Sequence, residues 1–79
     1  MSQSKPDPDF IAAEVRAEMG RQDRTNSWLA AQLGVSEMWV GRRLRLNRET
    51  EISEDDLERI AGALNVPVAT FLPAPVRAS

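Results

Sequence analysis

The fold is decided by residues 28–40, which read Trp-Leu-Ala-Ala-Gln-Leu-Gly-Val-Ser-Glu-Met-Trp-Val. Apolar residues at helical spacing stand on both sides of Gly34, and glycine favours the left-handed conformation that ends a helix. Ser36 is typical of the residue that caps a following helix, and Ala30 is small enough for that helix to cross close by. The pattern therefore predicts a helix-turn-helix whose second helix covers residues 37–45.

Three further helices are predicted around this motif. The first is capped by Asp7, with Pro8 as its first residue, or by Asp9, and it ends within residues 20–24. The fourth begins after the cap Ser53 and ends at Asn65. A short fifth helix follows Pro67. No segment alternates between apolar and polar residues as a half-buried strand does. We therefore predict an all-α fold, a compact bundle of five short helices in which helices 2 and 3 form the helix-turn-helix.

One domain is predicted, covering residues 9–72 between polar tails at residues 1–8 and 73–79. Neither Cys nor His occurs among the 79 residues, which removes the commonest general base and the thiolate and imidazole metal ligands. We therefore predict that the protein is not an enzyme, with no catalytic residue, no cofactor and no metal site. Since the sequence has neither a membrane-spanning apolar stretch nor an export signal, we expect a cytoplasmic protein.

Charge is distributed unevenly along the chain. Residues 21–48 contain six arginines and two acids, although the net charge of the whole chain is −2. Nine of the ten basic residues are arginine, which suits bidentate contact with phosphate and guanine. If Val40 points inward, then Met38, Arg42 and Arg45 form an outward stripe without an acid on the third helix. A basic stripe on an exposed helix predicts binding to nucleic acid.

These features resemble the lambda-repressor-like family of Cro/repressor-type helix-turn-helix regulators, also called the xenobiotic-response-element family. The matching residues are Leu29-Ala30, Leu33-Gly34-Val35-Ser36, Val40 and residues 56–66, and the resemblance covers residues 10–72. The run Trp39-Val40-Gly41-Arg42-Arg43-Leu44 is similar to actinobacterial and actinophage members. The resemblance implies a DNA-binding domain that commonly binds an operator as a dimer. Since the chain has only 79 residues, we expect a Cro-like protein or a compact repressor of phage origin.

Two positions depart from the pattern of that family. Asn26 stands where the family usually has Gln. Leu44 stands where the family frequently has Glu, whose ion-pair partner on the first helix is matched here by Arg16. The acidic partner of that ion pair is therefore missing from this chain.

The resemblance implies that the third helix enters the major groove of double-stranded operator DNA. The residues predicted to read bases are Glu37, Met38, Trp39, Gly41 and Arg42. Those predicted to hold phosphates are Thr25, Asn26, Ser27, Ser36, Arg43, Arg45 and Arg48. Two of these roles have alternatives, because Glu37 could simply favour the helix N-terminus and the Trp39 indole could stack on the Arg43 guanidinium. Arg16, Arg59 and the acids of the fourth helix are expected to form a solvated face.

The predicted function is sequence-specific binding of double-stranded DNA by a small transcriptional regulator, in the nucleoid of a bacterial or phage-infected cell. We expect at most a weak or DNA-induced homodimer, formed around Phe71 and Leu72, and neither a membrane partner nor a small-molecule ligand. The alternative is a protein-interaction module on the same fold, such as an antitoxin or anti-repressor, with Met38 and Trp39 as its apolar surface. Salt-dependent binding to duplex DNA would favour the first function, and co-purification with a stoichiometric partner the second.

Overall fold

The computed structural model describes residues 8–45 and 52–72. These residues form four α-helices and one turn of 3-10 helix: α1 Pro8–Arg21, α2 Asn26–Leu33, α3 Glu37–Leu44, α4 Glu54–Leu64 and the 3-10 turn Val68–Phe71. The two described ranges contain no strand, which confirms the all-α prediction. Residues 1–7, residues 46–51 with the predicted phosphate contact Arg48, and residues 73–79 lie outside the described residues.

The prediction of a fifth helix is wrong, because Val68–Phe71 is a single 3-10 turn. Only five residues separate Pro67 from Pro73, and a segment this short gains too few hydrogen bonds to nucleate an α-helix. Leu72 has the extended backbone that a following proline favours, with φ −109° and ψ 148°. Phe71 is fully buried, so the prediction that it forms a dimer contact is also wrong, whereas Leu72 is exposed.

A single apolar core receives side chains from every element. Its members are Ala12, Val15, Met19, Leu29, Ala30, Val40, Leu44, Leu57, Ile60, Ala61, Leu64 and Phe71. No polar or charged side chain is buried within the part of the chain that the structure describes. The third helix contributes Val40 and Leu44 to this core, with Trp39 partly buried against it, while Glu37, Met38 and Arg42 are exposed.

Local capping determines where the helices begin. The Ser36 hydroxyl accepts a hydrogen bond from the Trp39 backbone N–H at 3.0 Å, and the Ser53 hydroxyl accepts one from the Asp56 N–H at 3.1 Å. Thr25 caps α2 in the same way. Each cap satisfies one of the backbone donors that a helix N-terminus leaves unpaired, so these residues set the first turns of α2, α3 and α4.

Three helices end on a residue in the left-handed conformation. These residues are Asp23 (φ 59°), Gly34 (φ 71°) and Asn65 (φ 62°). After Gly34, the Val35 N–H donates to the Ala30 carbonyl at 3.0 Å, and the same arrangement follows Asp23 and Asn65. This is the Schellman motif, in which the turn itself satisfies carbonyls that the helix leaves free. The predicted ends of α1, α2 and α4 are therefore confirmed.

The last carbonyls of α2, α3 and α4 each accept a hydrogen bond from a side chain on another part of the chain. The three bonds are Arg59 Nη2 to Leu33 O at 2.9 Å, Arg16 Nη1 to Leu44 O, and Gln22 Nε2 to Leu64 O at 2.8 Å. Gln22 also donates to Glu18, and this hydrogen bond, with that from Arg21, lowers the pKa of the Glu18 carboxyl. Because the donors are distant in sequence, these bonds fix the helices relative to one another.

An ion pair and two stacked arginines hold α3 against α4. Arg43 Nε donates to Asp56 Oδ2 at 3.2 Å, and the Arg43 guanidinium carbon lies 3.9 Å from the centre of the Trp39 ring. Arg59 reaches the same ring from α4, at 5.9 Å. The side chains of Arg43 and Asp56 are only 18% and 16% exposed. The expectation that Arg59 and the acids of α4 form a solvated face is therefore wrong for Asp56, whereas the side chain of Arg59 is 49% exposed.

We predict that Ser53→Ala lowers the free energy of unfolding by about 0.5–2 kcal/mol, because the Asp56 N–H loses its acceptor. Chemical denaturation measures the change. Ser27→Ala is the matched control, since Ser27 is exposed within α2 and caps no helix. Equal denaturation midpoints for the two variants would contradict the assignment of Ser53 as the cap.

We also predict that Asp56→Ala destabilises the fold by about 1.5–3 kcal/mol, because the partly buried Arg43 loses its charged acceptor. Asp55→Ala is the control, since Asp55 is an exposed acid in the same first turn and interacts with the same helix dipole. Denaturation of both variants isolates the ion pair from the dipole. A loss no larger for Asp56→Ala than for Asp55→Ala would show that the ion pair contributes nothing.

Candidate nucleic-acid interface

The exposed side of α3 borders a shallow, open concavity. Its lining residues are Arg16, Asn26, Met38, Gly41, Arg42, Leu44 and Arg45. We call this surface the arginine-lined concavity, because three of its lining residues are arginines and none is an acid. Five of the residues predicted for the site therefore lie together along this surface: Asn26, Met38, Gly41, Arg42 and Arg45.

The inward packing of α3 determines which side chains reach the concavity. Val40 and Leu44 are 1% and 2% exposed and point into the core. Met38 and Arg42 are exposed on the other side of the helix, and the Met38 side chain is 63% exposed. Arg45 follows the last residue of α3, has an extended backbone and is exposed, so the predicted helix is one residue too long. Glu37 is exposed in the first turn.

Gly41 is not required by the packing of the protein itself. A Cβ atom built on Gly41 meets no atom within 4 Å. Gly41 has ordinary helical backbone and lines the concavity. No contact among the described residues therefore requires glycine at this position. A side chain here would project into the concavity.

The start of α2 lies beside the concavity through Asn26. Thr25, Asn26 and Ser27 are all exposed, and the first turn of α2 contains no acid. The Thr25 hydroxyl accepts from the Trp28 N–H at 3.0 Å, so its own proton is free to be donated outward. Oriented N–H groups and hydroxyl donors at a helix N-terminus attract anions. Ser36 is likewise exposed at the start of α3.

Two of the predicted site residues are held by contacts within the protein. Trp39 is partly buried against the core and lies close to the guanidinium groups of Arg43 and Arg59. Arg43 is occupied by Asp56 and by the Trp39 carbonyl, to which its Nη1 donates at 3.3 Å. Neither residue lines the concavity. The stacking of Trp39 on Arg43, one of the two alternatives for that pair, is confirmed, and both residues position α3.

Two arginines were missed by the sequence analysis. Arg16 lines the concavity while it donates to the Leu44 carbonyl at the end of α3. Arg24 lies just before α2, exposed, with its guanidinium carbon 4.2 Å from the centre of the Trp28 ring. The spacing of four residues between Arg24 and Trp28 was the available signal for this cation–π contact.

Within residues 8–45 and 52–72, no group of three or more acidic, Cys or His residues is arranged to hold a metal ion. None of the helices in these two ranges is long and apolar enough to cross a membrane. Comparisons with models of protein families, with curated proteins and with solved structures found no match to this chain.

Proposed function

We propose that the protein is a sequence-specific regulator that binds double-stranded DNA, with α2 and α3 acting as a helix-turn-helix. The observation that supports this most is the arginine-lined concavity, where three arginines and no acid surround the exposed side of a short helix. An α-helix with its side chains is about 10–12 Å across, which fits the major groove of B-DNA, about 12 Å wide. The helix is thus of a size to place its exposed side chains against base edges.

In this proposal Arg42 reads a guanine. Its exposed side chain stands at the middle of the outward face of α3 and has the forked donors that match guanine O6 and N7. Met38 and Gly41 form the surface beside it. Glu37, at the start of the helix, either accepts a hydrogen bond from cytosine N4 or stabilises the helix N-terminus. Trp39 is left out of the reading set because it is partly buried and the Arg43 guanidinium stacks on its ring.

Phosphate contacts surround this reading face. The proposed residues are Thr25, Asn26, Ser27, Ser36 and Arg45, together with Arg48 in the loop that lies outside the described residues. Arg24 is added to this set, because its stacked guanidinium is exposed beside the start of α2. Arg43 is removed from it, because Asp56 already occupies its guanidinium. Contacts of this kind fix the register of a protein on DNA without reading the sequence.

A Cro-like protein or a compact repressor, acting in the nucleoid of a bacterial or phage-infected cell, is the regulator that this set of contacts suits best. A dimer on DNA would place its half-sites about 34–36 Å apart. Phe10 and Leu72 are 38% and 39% exposed, and are the apolar side chains available for a weak or DNA-induced dimer contact.

The second candidate is a protein-interaction module, and the 63% exposure of Met38 is the observation that favours it. A protein partner would have to satisfy three arginines as well as cover one methionine. Selection of bound sequences from a random pool of duplexes separates the two functions. A consensus bound with steep salt dependence supports the regulator, whereas the absence of any enriched sequence, with a stoichiometric protein partner on purification, supports the interaction module.

We predict that Arg42→Ala and Arg45→Ala have different effects on DNA binding. Arg42→Ala should cost about 1–3 kcal/mol on the selected site and abolish the preference at one base pair. Arg45→Ala should weaken binding to selected and scrambled duplexes alike and reduce the salt slope by about one unit. Binding isotherms at several salt concentrations measure both effects. Equal weakening on both duplexes by Arg42→Ala would contradict its role as a base reader.

We further predict that Gly41→Ala stabilises the fold by about 0.5–1 kcal/mol, because alanine is the better helix former. The same methyl group should weaken binding to the selected duplex by about 1–3 kcal/mol, because it projects into the surface that approaches DNA. Gly62→Ala is the matched control, since Gly62 is an exposed glycine of α4 with equal space for a Cβ atom. It should stabilise the fold and leave binding unchanged. Unchanged binding by Gly41→Ala would place the DNA elsewhere.

A further inference from the structure

Met38 is an apolar side chain placed among charged ones. At 63% it is the most exposed large hydrophobic residue of the described chain, and it lines the concavity with Arg42 and Arg45. The core takes Val40 and Leu44 from the same helix and makes no use of Met38. Among the described residues this apolar surface is covered by no other side chain of the core, so it is available to a partner whose contact would remove it from water.

We propose that Met38 contacts the C5-methyl group of a thymine, within about two base pairs of the guanine that Arg42 contacts. This inference rests on the proposed function and names the composition of the DNA site. In the major groove the thymine methyl group is the apolar feature that the unmodified bases present. Methionine suits such a target, because its unbranched, polarisable side chain adapts to irregular apolar surfaces.

The spacing of Met38 and Arg42 sets the distance between the two bases. Residues four apart lie on the same side of a helix and are separated by about 6 Å along its axis. Stacked bases are separated by about 3.4 Å along each strand. A helix that lies along the groove therefore places the two side chains against base pairs one or two steps apart.

The charges around Met38 favour DNA over an apolar protein surface. Arg16, Arg42 and Arg45 border the same concavity. An apolar partner that covered Met38 would also remove water from these guanidinium groups without replacing their hydrogen bonds, which is costly. The major groove instead offers phosphate oxygens and guanine acceptors to the arginines and a methyl group to the methionine.

The test replaces each thymine of the selected duplex in turn by deoxyuridine, which removes only the methyl group. For the wild-type protein, one replacement should weaken binding about fourfold, as expected for the loss of one buried methyl contact. Met38→Ala should bind the thymine and uracil duplexes equally, whereas Met38→Leu should keep the difference. Because Met38 is exposed, these variants should retain the wild-type denaturation midpoint, which is measured alongside.

The outcomes separate this inference from the proposed function. If the wild-type protein selects a consensus but no thymine methyl matters, the assignment of Met38 is wrong and DNA binding stands. The same conclusion follows if deoxyuridine weakens DNA binding by Met38→Ala as much as binding by the wild type. It also follows if the consensus has no thymine within two base pairs of the guanine whose preference Arg42→Ala abolishes. If the wild-type protein selects no sequence at all, the proposed function fails and this inference fails with it.

Discussion

The candidate interface depends on how an eight-residue helix is held in place. The helix α3 buries only Val40 and Leu44, and a helix of this length has little stability of its own in water. Two contacts add to that packing, the hydrogen bond from Arg16 to the Leu44 carbonyl and the ion pair of Arg43 with Asp56. Both lie on sides of α3 that face other helices. The remaining side of α3 is therefore free to present its side chains outward while its backbone is fixed.

Five of the described arginines serve these two tasks, and Arg16 serves both. Arg16, Arg43 and Arg59 donate hydrogen bonds to groups of the protein, and two of them stand beside the same indole ring. Arg42 and Arg45 line the concavity and are exposed. Because a guanidinium group carries five donors in a planar fork, it serves either role well. The charge of the sequence alone therefore does not distinguish structural arginines from those available to a ligand.

Local signals in the sequence were sufficient to predict most of the helix boundaries. The caps Ser36 and Ser53 and the left-handed residues Gly34 and Asn65 act within a few residues of themselves, so their types and spacing predict the structure directly. The fifth helix failed because the flanking prolines leave room for a 3-10 turn only.

The candidate site was predictable where it follows from helical periodicity and not where it depends on distant contacts. With Val40 inward, the outward positions of Met38 and Arg42 follow from the geometry of a helix, and the structure places both in the concavity. The partners of Arg43 and Arg16 lie 13 and 28 residues away in the sequence, and no local pattern indicates them. The sequence therefore could not predict that Arg43 binds Asp56 or that Arg16 lines the concavity.

The central claim is that the exposed side of α3 is the surface that meets DNA. The most direct measurement is a titration of isotopically labelled protein with the selected duplex, followed by NMR of backbone amides and arginine side chains. The account predicts that the largest shift changes cluster at Asn26, Gly41, Arg42 and Arg45, while Glu58 and Gly62 on α4 stay unchanged. Changes centred on α4, or none at a concentration of duplex that saturates binding, would contradict it.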